Sequence, residues 1–333
     1  MNNYRLLGLA VLSLLPSALS IPAACDWQNA TSVTTLQVVP DTKTLENIAV
    51  RGNGDILVTS TASPTLFGLS TRNEHPPIPV AEILGVTGLV GIAELEKDVF
   101  YVVGSNLTST ENSNGVWKVD VRNFRAAQNG TIIQPADISL VARVPSALQL
   151  NGMVRLASND TENLLISDSG FGNVIRLNVA TKAVEAVIQE PEMAPLTTGL
   201  SIGVNGIRIR DSKLYFVSLD QGTFSRVPIS LSSGAAVGPV ETLASNITFG
   251  DDFALSDDGR WAYVATNGPE EIIGVDVSLK EKVVVASSPL LGAASSVAAQ
   301  QLHGRRVLYV TGATASGNTT VGHVSKITLE CKN

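Results

Sequence analysis

Charged residues are scarce in this chain, and no basic cluster occurs anywhere in it. Asp, Glu, Lys and Arg make up 16% of the 333 residues, and the formal net charge is −7. Binding to nucleic acid or to an anionic membrane surface would require a concentrated positive charge. The composition therefore predicts neither as a partner, and no feature of the sequence specifies an oligomeric state.

The residues and motifs of nucleophilic catalysis are also missing. The chain has 2 cysteines and 3 histidines, and it contains no Gly-x-Ser-x-Gly elbow, no His-Glu-x-x-His and no phosphate-binding glycine loop. His75, His303 and His323 fall in loop, turn or late-strand positions, where surface histidines are expected. A serine hydrolase is therefore not the main hypothesis for this chain.

Long apolar runs are absent after the first 20 residues. Arg5 precedes an apolar run over 6–15, which is followed by Pro16 and the small residues Ala18 and Ser20. This order is typical of a secretory signal peptide, and the run is too short for a membrane span; a buried N-terminal helix is the alternative. Residues 1–20 are predicted to be a signal peptide, without a membrane anchor, and 21–333 to enter the secretory pathway or the extracellular space.

The two cysteines and the sequons agree with a secreted protein. Cys25 and Cys331 lie near the two ends of the chain, and an oxidising compartment favours a disulfide between them; two free buried thiols are the alternative. Six Asn-x-Ser/Thr sequons are glycosylation candidates: Asn29, Asn106, Asn129, Asn159, Asn246 and Asn318. All six fall between the predicted strands.

What the chain does contain is a repeated strand–turn–strand pattern. In the clearest copy an apolar run at 253–255 is followed by Asp257-Asp258-Gly259 and a second β-rich run at 261–265. An Asp-Gly turn between apolar runs is a strong hairpin signal. Similar copies begin at six positions: Glu46, Val90, Asn151, Asn205, Asp251 and Ser295.

The period of these copies predicts the architecture. They start roughly 45 to 60 residues apart, the spacing of four-stranded propeller blades with loop insertions. Third and fourth strands follow in most copies, so 21–333 is predicted to form one all-β, six-bladed β-propeller domain. The early strand at 34–39 is expected to complete the last blade beside 323–328, so that the N- and C-terminal strands close the ring. A β-sandwich or a β-helix is the alternative.

The residues that open the six copies form a column around the predicted axis. In a propeller the first strand of each blade lines the central channel, so these side chains are expected at one mouth of it. Glu46, Asn151, Asn205 and Asp251 would bring together carboxylate and amide oxygens, which are the ligands that Ca²⁺ or another hard divalent cation prefers. The alternative is that each is an ordinary turn residue before a strand.

This column and its spacing resemble the gluconolactonase/regucalcin family and its strictosidine-synthase-like relatives, all six-bladed propellers. The resemblance implies that Glu46, Asn151, Asn205 and Asp251 form the catalytic centre and surround a divalent metal. The Glu-Asn-Ile-Ala-Val-Arg run at 46–51, with the predicted signal peptide, cysteines and sequons, further resembles secreted fungal hetero-Diels–Alderases of secondary metabolism. Those enzymes join a tropolone-derived quinone methide to a humulene-type alkene to make meroterpenoids, and the resemblance implies no required cofactor.

The loops at the same mouth supply candidate substrate-binding residues. A cyclase needs an apolar pocket for small-molecule substrates and a few hydrogen-bond donors. The candidates are Asn47, Ser60, Asp168, Phe171, Ser218, Asp220, Gln221, Asn267 and Ser295, with Phe171 as an apolar wall. The leading hypothesis is a hetero-Diels–Alderase; a metal-dependent lactonase using Asp251 or Glu46 to activate water, and a non-catalytic binding propeller, are the alternatives.

Overall fold

The computed structural model describes residues 30–107, 113–302 and 304–330, and this part of the chain is an all-β, six-bladed propeller. Each blade is a four-stranded antiparallel sheet. The innermost strands contact one another in a closed cycle, from the first blade through the sixth and back to the first. The predicted signal peptide, Cys25, Asn29, His303 and Cys331 lie outside the described residues.

Strands are numbered in chain order. Blade 1 contains β2 (Ile48–Val50), β3 (Ile56–Val58), β4 (Thr65–Leu69) and β5 (Ile78–Glu82); blade 2 contains β6 (Gly88–Glu96), β7 (Val99–Ser105), β8 (Gly115–Asp120) and β11 (Asp137–Arg143). Blade 3 contains β12 (Leu150–Arg155), β13 (Asn163–Asp168), β14 (Asn173–Asn178) and β15 (Val184–Ile188); blade 4 contains β16 (Val204–Arg210), β17 (Lys213–Ser218), β18 (Thr223–Pro228) and β19 (Glu241–Ala244). Blade 5 contains β20 (Gly250–Leu255), β21 (Trp261–Thr266), β22 (Glu271–Asp276) and β23 (Glu281–Ser287); blade 6 contains β24 (Ser296–Leu302), β25 (Arg305–Ser316), β26 (Thr319–Leu329) and β1 (Ala30–Val39). A small hairpin of β9 (Arg125–Ala126) and β10 (Ile132–Gln134) is inserted in blade 2, and short 3₁₀ turns occur at Pro191–Met193 and Pro289–Leu291.

The ring is closed by the first described strand. β1 pairs antiparallel with β26, with Val33 opposite Ile327 and Val38 opposite His323. The last blade therefore takes its outer strand from one end of the described chain and its three inner strands from the other. This confirms the expectation for the strand at 34–39, which extends from Ala30 to Val39.

Apolar side chains fill the space between neighbouring blades rather than one central core. Six buried clusters recur round the ring, and each contains side chains from two adjacent sheets. Between blades 4 and 5, Phe224 meets Phe253 edge to face with ring centroids 4.9 Å apart. Such pairs add about 0.5–1.5 kcal/mol beyond the burial of their area.

Glycines follow the opening residue where neighbouring inner strands approach most closely. A Cβ at Gly152 would lie 2.5 Å from the backbone oxygen of Asn205, and one at Gly91 would lie 2.1 Å from that of Asn151. Close packing of the inner strands therefore favours glycine after the opening residue, in addition to the turn chemistry of Asn-Gly. In the blade 5 hairpin, by contrast, Gly259 is required by its left-handed backbone, with φ of 70°.

Hydroxyl groups at the ends of second strands connect one blade to the next. Ser167 Oγ donates to the backbone oxygen of Asn205 at 2.6 Å, and Thr59 Oγ1 donates to that of Val90 at 2.7 Å. These bonds are buried and reach the residue that opens the following blade. They fix the position of the column around the axis.

One expectation about the histidines is wrong. His323 is 1% exposed, because β26 lies between β25 and β1 and its side chain packs inward against the Pro289–Leu291 turn. Its Nε2 lies 2.9 Å from the backbone oxygen of Leu290. His75 is half-buried in a loop of blade 1. The five described sequon asparagines, at 106, 129, 159, 246 and 318, all lie between strands.

No helix among the described residues has both the length and the apolar character needed to cross a lipid bilayer.

Candidate functional site

The column residues meet at one mouth of the central channel. Glu46, Asn151, Asn205 and Asp251 come from blades 1, 3, 4 and 5, and all four line the same cavity of about 880 Å³. Each is less than 10% exposed. The inner strands bring together residues that are up to 205 positions apart in the sequence (251 − 46).

Asp251 is the most tightly bound member of the group. Asn205 Nδ2 donates to its Oδ1 at 2.7 Å, and Asn267 Nδ2 donates to its Oδ2 at 2.9 Å. Asn151 differs, because its buried Oδ1 has no hydrogen-bond partner among the described residues. The cavity floor therefore holds one carboxyl group fixed by two amides and one buried amide oxygen without a hydrogen-bond partner among the described residues.

Burial and like charge shift the acids of this floor in the same direction. Burial raises the pKa of Glu46 well above its usual range, and repulsion from Asp251 and Asp252 raises it further. Burial also raises the pKa of Asp251 to about 7, although the amides of Asn205 and Asn267 oppose that rise. The pair is therefore costly to ionise fully in the absence of a compensating partner.

Asp252 follows Asp251 in the sequence, and its carboxylate is paired with partners from two neighbouring blades. It forms an ion pair with Arg208 at 2.7 Å and accepts from Ser296 Oγ at 2.6 Å. Its side chain occupies the space beside Gly206, where a Cβ would lie 2.0 Å from Asp252 Oδ1. The side chain thus joins blades 4, 5 and 6 beneath the cavity.

The rest of the cavity wall is mixed: Thr44, Thr61, Ser105, Asn106, Ser113, Asn114 and Gln149 line it together with a group of apolar side chains, called the apolar wall below. The side chains that form the apolar wall are Leu107, Leu148, Leu200, Ile202, Leu219 and Phe249. Leu148 is 58% exposed and Leu200 is 62% exposed, which is unusual for leucine in a protein with well-filled clusters between its blades. Both lie on loops that lead into inner strands, so the wall and the column belong to the same segments of chain.

Of the candidates from the mouth loops, Asn267 reaches the cavity and its floor. Asp168 and Asp220 lie behind the wall. Asp168 accepts from the backbone N–H groups of Leu148 and Gln149 at 2.7 and 2.8 Å. Asp220 accepts from those of Leu196, Leu200 and Ile202 at 3.1, 2.8 and 3.1 Å. These acids hold the loops that present the apolar wall.

The remaining candidates also lie outside the cavity lining. Ser60 Oγ donates to the backbone oxygen of Thr44 at 2.6 Å, and Ser295 Oγ donates to that of Leu45 at 2.8 Å. Gln221 Nε2 donates to the backbone oxygens of Pro191 and Ala194, both at 2.8 Å. Asn47 and Ser218 are buried, whereas Phe171 is 51% exposed and is not part of the cavity lining. That these residues contact the substrate remains a prediction.

The apolar wall was not predicted from the sequence. Phe249 stands two residues before the column residue of its blade, Leu148 three before and Leu200 five before. The available signal was a hydrophobic residue in the loop that precedes the column residue of blades 3, 4 and 5. Loops carry no hydrophobic periodicity, so the periodic patterns that predict strands do not detect this signal.

Comparison with known proteins gives relatives in sequence. No protein-family model matches the chain. It is 31% identical over 245 residues to a protein of Phoma sp. named as a hetero-Diels-Alderase, covering 65% of this chain and 67% of the relative. This chain is a member of the hetero-Diels-Alderase family. A second protein of that name, from Sarocladium schorii, is 30% identical over 214 residues, covering 57% of this chain and 52% of the relative's length.

Solved structures confirm the propeller fold of this hetero-Diels-Alderase family member. Regucalcin of Agrobacterium tumefaciens, a calcium-binding protein, matches with a TM-score of 0.62 at 14% identity, covering 90% of this chain and 95% of that one. A gluconolactonase-type protein matches with a TM-score of 0.57 at 12% identity, covering 93% and 94%. At this identity the likeness concerns the fold alone.

The donor set of the floor fits a divalent cation in its chemistry. Glu46 and Asp251 supply two carboxyl groups that repel each other when ionised, and Asn151 supplies the amide oxygen without a partner. Within 30–107, 113–302 and 304–330, no three His, Cys, Asp or Glu side chains cluster as a metal site. A cation here would therefore depend on the amide oxygens of the column.

Proposed function

We propose that this protein is a small-molecule cyclase that catalyses a hetero-Diels–Alder reaction in the axial cavity. The observation that carries the proposal is the combination of an apolar wall with a floor of carboxyl and amide groups in one cavity of about 880 Å³. That volume is in the range of pockets that enclose small organic molecules. Two apolar partners would be held by the wall, while the floor hydrogen-bonds the oxygen of one of them.

The protein contributes little covalent chemistry to the proposed reaction. A heterodiene containing a C=C–C=O unit and an alkene form one C–C and one C–O bond, and every atom of both partners is retained. Holding the two in a reactive pose contributes several kcal/mol, up to about 7–11 kcal/mol in well-oriented systems. The amide of Asn151 is available to donate to the heterodiene oxygen, where negative charge develops.

The resemblance at 46–51 to secreted fungal hetero-Diels–Alderases suggests the substrates, and the names of the relatives agree with the reaction type. We propose a tropolone-derived quinone methide as the heterodiene and a humulene-type hydrocarbon as the alkene. The leucines of the wall suit a hydrocarbon that offers no hydrogen bond. The column residues suit a partner with an oxygen-bearing ring.

The test is formation of the cyclic adduct by the purified protein. A quinone-methide precursor of the tropolone series and α-humulene are incubated with wild-type protein, and the product is separated by chiral chromatography. One enantiomer, formed faster than in buffer, is expected. Asn151→Leu removes the hydrogen-bonding amide at similar volume and should slow the reaction by about 100-fold, the lower end of the effect of losing one such donor.

The matched control is Asn173→Leu, since Asn173 opens a third strand of blade 3 and does not line the cavity. It should leave the rate within twofold of wild type. A racemic adduct formed at the rate seen in buffer would refute the cyclase proposal.

A metal-dependent lactonase is the second candidate, and the unpartnered oxygen of Asn151 beside two buried carboxyl groups favours it. A cation held by Glu46, Asp251 and Asn151 would polarise a substrate carbonyl when bound. Asp251 would then accept the proton of the attacking water. EDTA should abolish gluconolactone hydrolysis and Ca²⁺ should restore it, whereas cyclisation that survives EDTA rules out a metal requirement for the first reaction.

A further inference from the structure

Phe249 has a backbone conformation that its side chain disfavours. Its φ is 50°, in the left-handed region, where a bulky aromatic residue is a genuine outlier. Residues held in this region persist where the surrounding structure enforces them, and they concentrate at ligand sites. Gly, Asn or Asp at this position would adopt the same φ with less strain.

The surroundings show what enforces the conformation. The backbone oxygen of Phe249 accepts from the N–H of Asn267 at 2.9 Å, which ties the loop to the turn after β21. The ring contacts that turn, since a Cβ at Gly268 would be 2.9 Å from Phe249 Cδ2. The turn has no side chain at the point where the ring rests.

The ring nevertheless remains open on its other side. Phe249 is 44% exposed and lines the cavity, although Ile247 and Phe253, which lie on either side of it in the sequence, are buried. Burial in the core would explain neither the strained φ nor the exposure. A ring held at the edge of a cavity with one side uncovered is arranged to meet something that enters the cavity.

The position of the ring also selects the partner. Phe249 stands two residues before Asp251, and the turn that supports it contributes Asn267, whose Nδ2 donates to Asp251 at 2.9 Å. The exposed leucines, by contrast, lie on the loops of blades 3 and 4. An aromatic ring next to the polar floor suits a planar conjugated molecule that carries oxygen, whereas the leucines suit an aliphatic one.

We propose that Phe249 is the stacking platform for the planar, oxygen-bearing partner of the cyclisation. The inference depends on the proposed function for the identity of that partner. It assigns the two substrates to different parts of the cavity: the conjugated ring to Phe249 beside Asp251, and the hydrocarbon to Leu148 and Leu200. Phe249 is thereby a specificity-determining residue.

Equilibrium binding of each partner alone tests this assignment without turnover. Tropolone serves as the planar probe and α-humulene as the aliphatic probe, and both are titrated into wild-type protein by ligand-observed NMR. Phe249→Leu should weaken tropolone binding roughly three- to tenfold, as loss of an aromatic contact does, and leave humulene binding within twofold. Phe249→Tyr should retain tropolone affinity, and Leu200→Ala should weaken humulene selectively.

Two further variants separate binding from packing. Phe171→Leu is the matched control, because Phe171 is similarly exposed but lies outside the cavity lining; it should change neither affinity. Phe249→Asn relieves the left-handed strain, so it should melt at or above the wild-type temperature while binding tropolone more weakly. A lower melting temperature with unchanged tropolone affinity would show that the ring serves packing, and would overturn the inference.

The failure of this inference is distinguishable from the failure of the proposed function. If wild-type protein forms the adduct but Phe249→Leu binds tropolone as wild type does, Phe249 is not the platform. If wild-type protein binds neither probe and forms no adduct, the cyclase proposal itself is wrong.

Discussion

At the scale of single residues, Glu46 and Asp251 impose a dependence of stability on pH. Both pKa values are higher in the folded protein than the usual values of about 4.3 and 3.9 in unfolded chains, mainly because of burial. The folded state therefore holds protons that the unfolded state has released. The contribution of these two acids to the free energy of unfolding is fully present below a pH of about 4. It is lost as the pH rises through the folded-state pKa values, which reach about 7 for Asp251.

Glu46→Gln should remove much of this dependence. The amide keeps the shape of the side chain but stays neutral, so the variant should melt at a higher temperature than wild type at pH 8 and near the wild-type temperature at pH 4. Thermal melts from pH 4 to pH 8 measure the effect. Glu74→Gln is the control, since Glu74 pairs with Arg72 at the surface. An unchanged pH profile in Glu46→Gln would contradict the prediction.

At the scale of strands, close packing of the inner strands sets a strict limit on side-chain size. Gly152→Ala would place a methyl group 2.5 Å from the backbone oxygen of Asn205, and a backbone atom can move only by shifting its blade. The expected loss is about 1–3 kcal/mol of unfolding free energy in urea. Gly52→Ala is the control, because its nearest atom would be Lys97 Cε at 3.6 Å; equal stability of the two variants would argue against the packing explanation.

The same strands show how far the sequence predicts the site. The hairpin at 253–265 and the opening residues of the blades follow from alternation and turn chemistry, and the structure confirms both. Asp168 and Asp220 were expected at the substrate, yet they hold the loops behind it, because a polar residue after a strand satisfies backbone N–H groups equally well. The exposure of Phe249 could not be predicted, since it depends on a backbone φ and on contact with a turn distant in sequence.

At the scale of the whole molecule, the pairing of β1 with β26 brings the two ends of the described chain together. A disulfide between Cys25 and Cys331, predicted from the sequence, would lock this closure. In the chain-entropy model a loop of this length contributes roughly 5 kcal/mol. The cysteines lie beyond the strands that are paired, close to Ala30 and Leu329 in sequence.

Peptide mapping of protein secreted from a eukaryotic host should recover one linked fragment that contains both cysteines. Mild reduction, or Cys25→Ser, should lower the melting temperature by several degrees or more, and reduction should not lower that of the variant further. Two thiols that react with an alkylating reagent in unreduced, denatured protein would refute the disulfide.

The closure of the sixth blade also constrains how the protein is made. Thr31 bonds to Thr328, 297 residues later, so its partner strand leaves the ribosome roughly 15 to 60 s after β1 does. Throughout that interval blades 1 to 5 can assemble in order of synthesis, but β1 has no sheet to join, and its backbone groups remain open to pairing with another chain. The ring can therefore close only after the final hairpin of β25 and β26 has been synthesised, and until then the nascent first strand must be shielded from other chains.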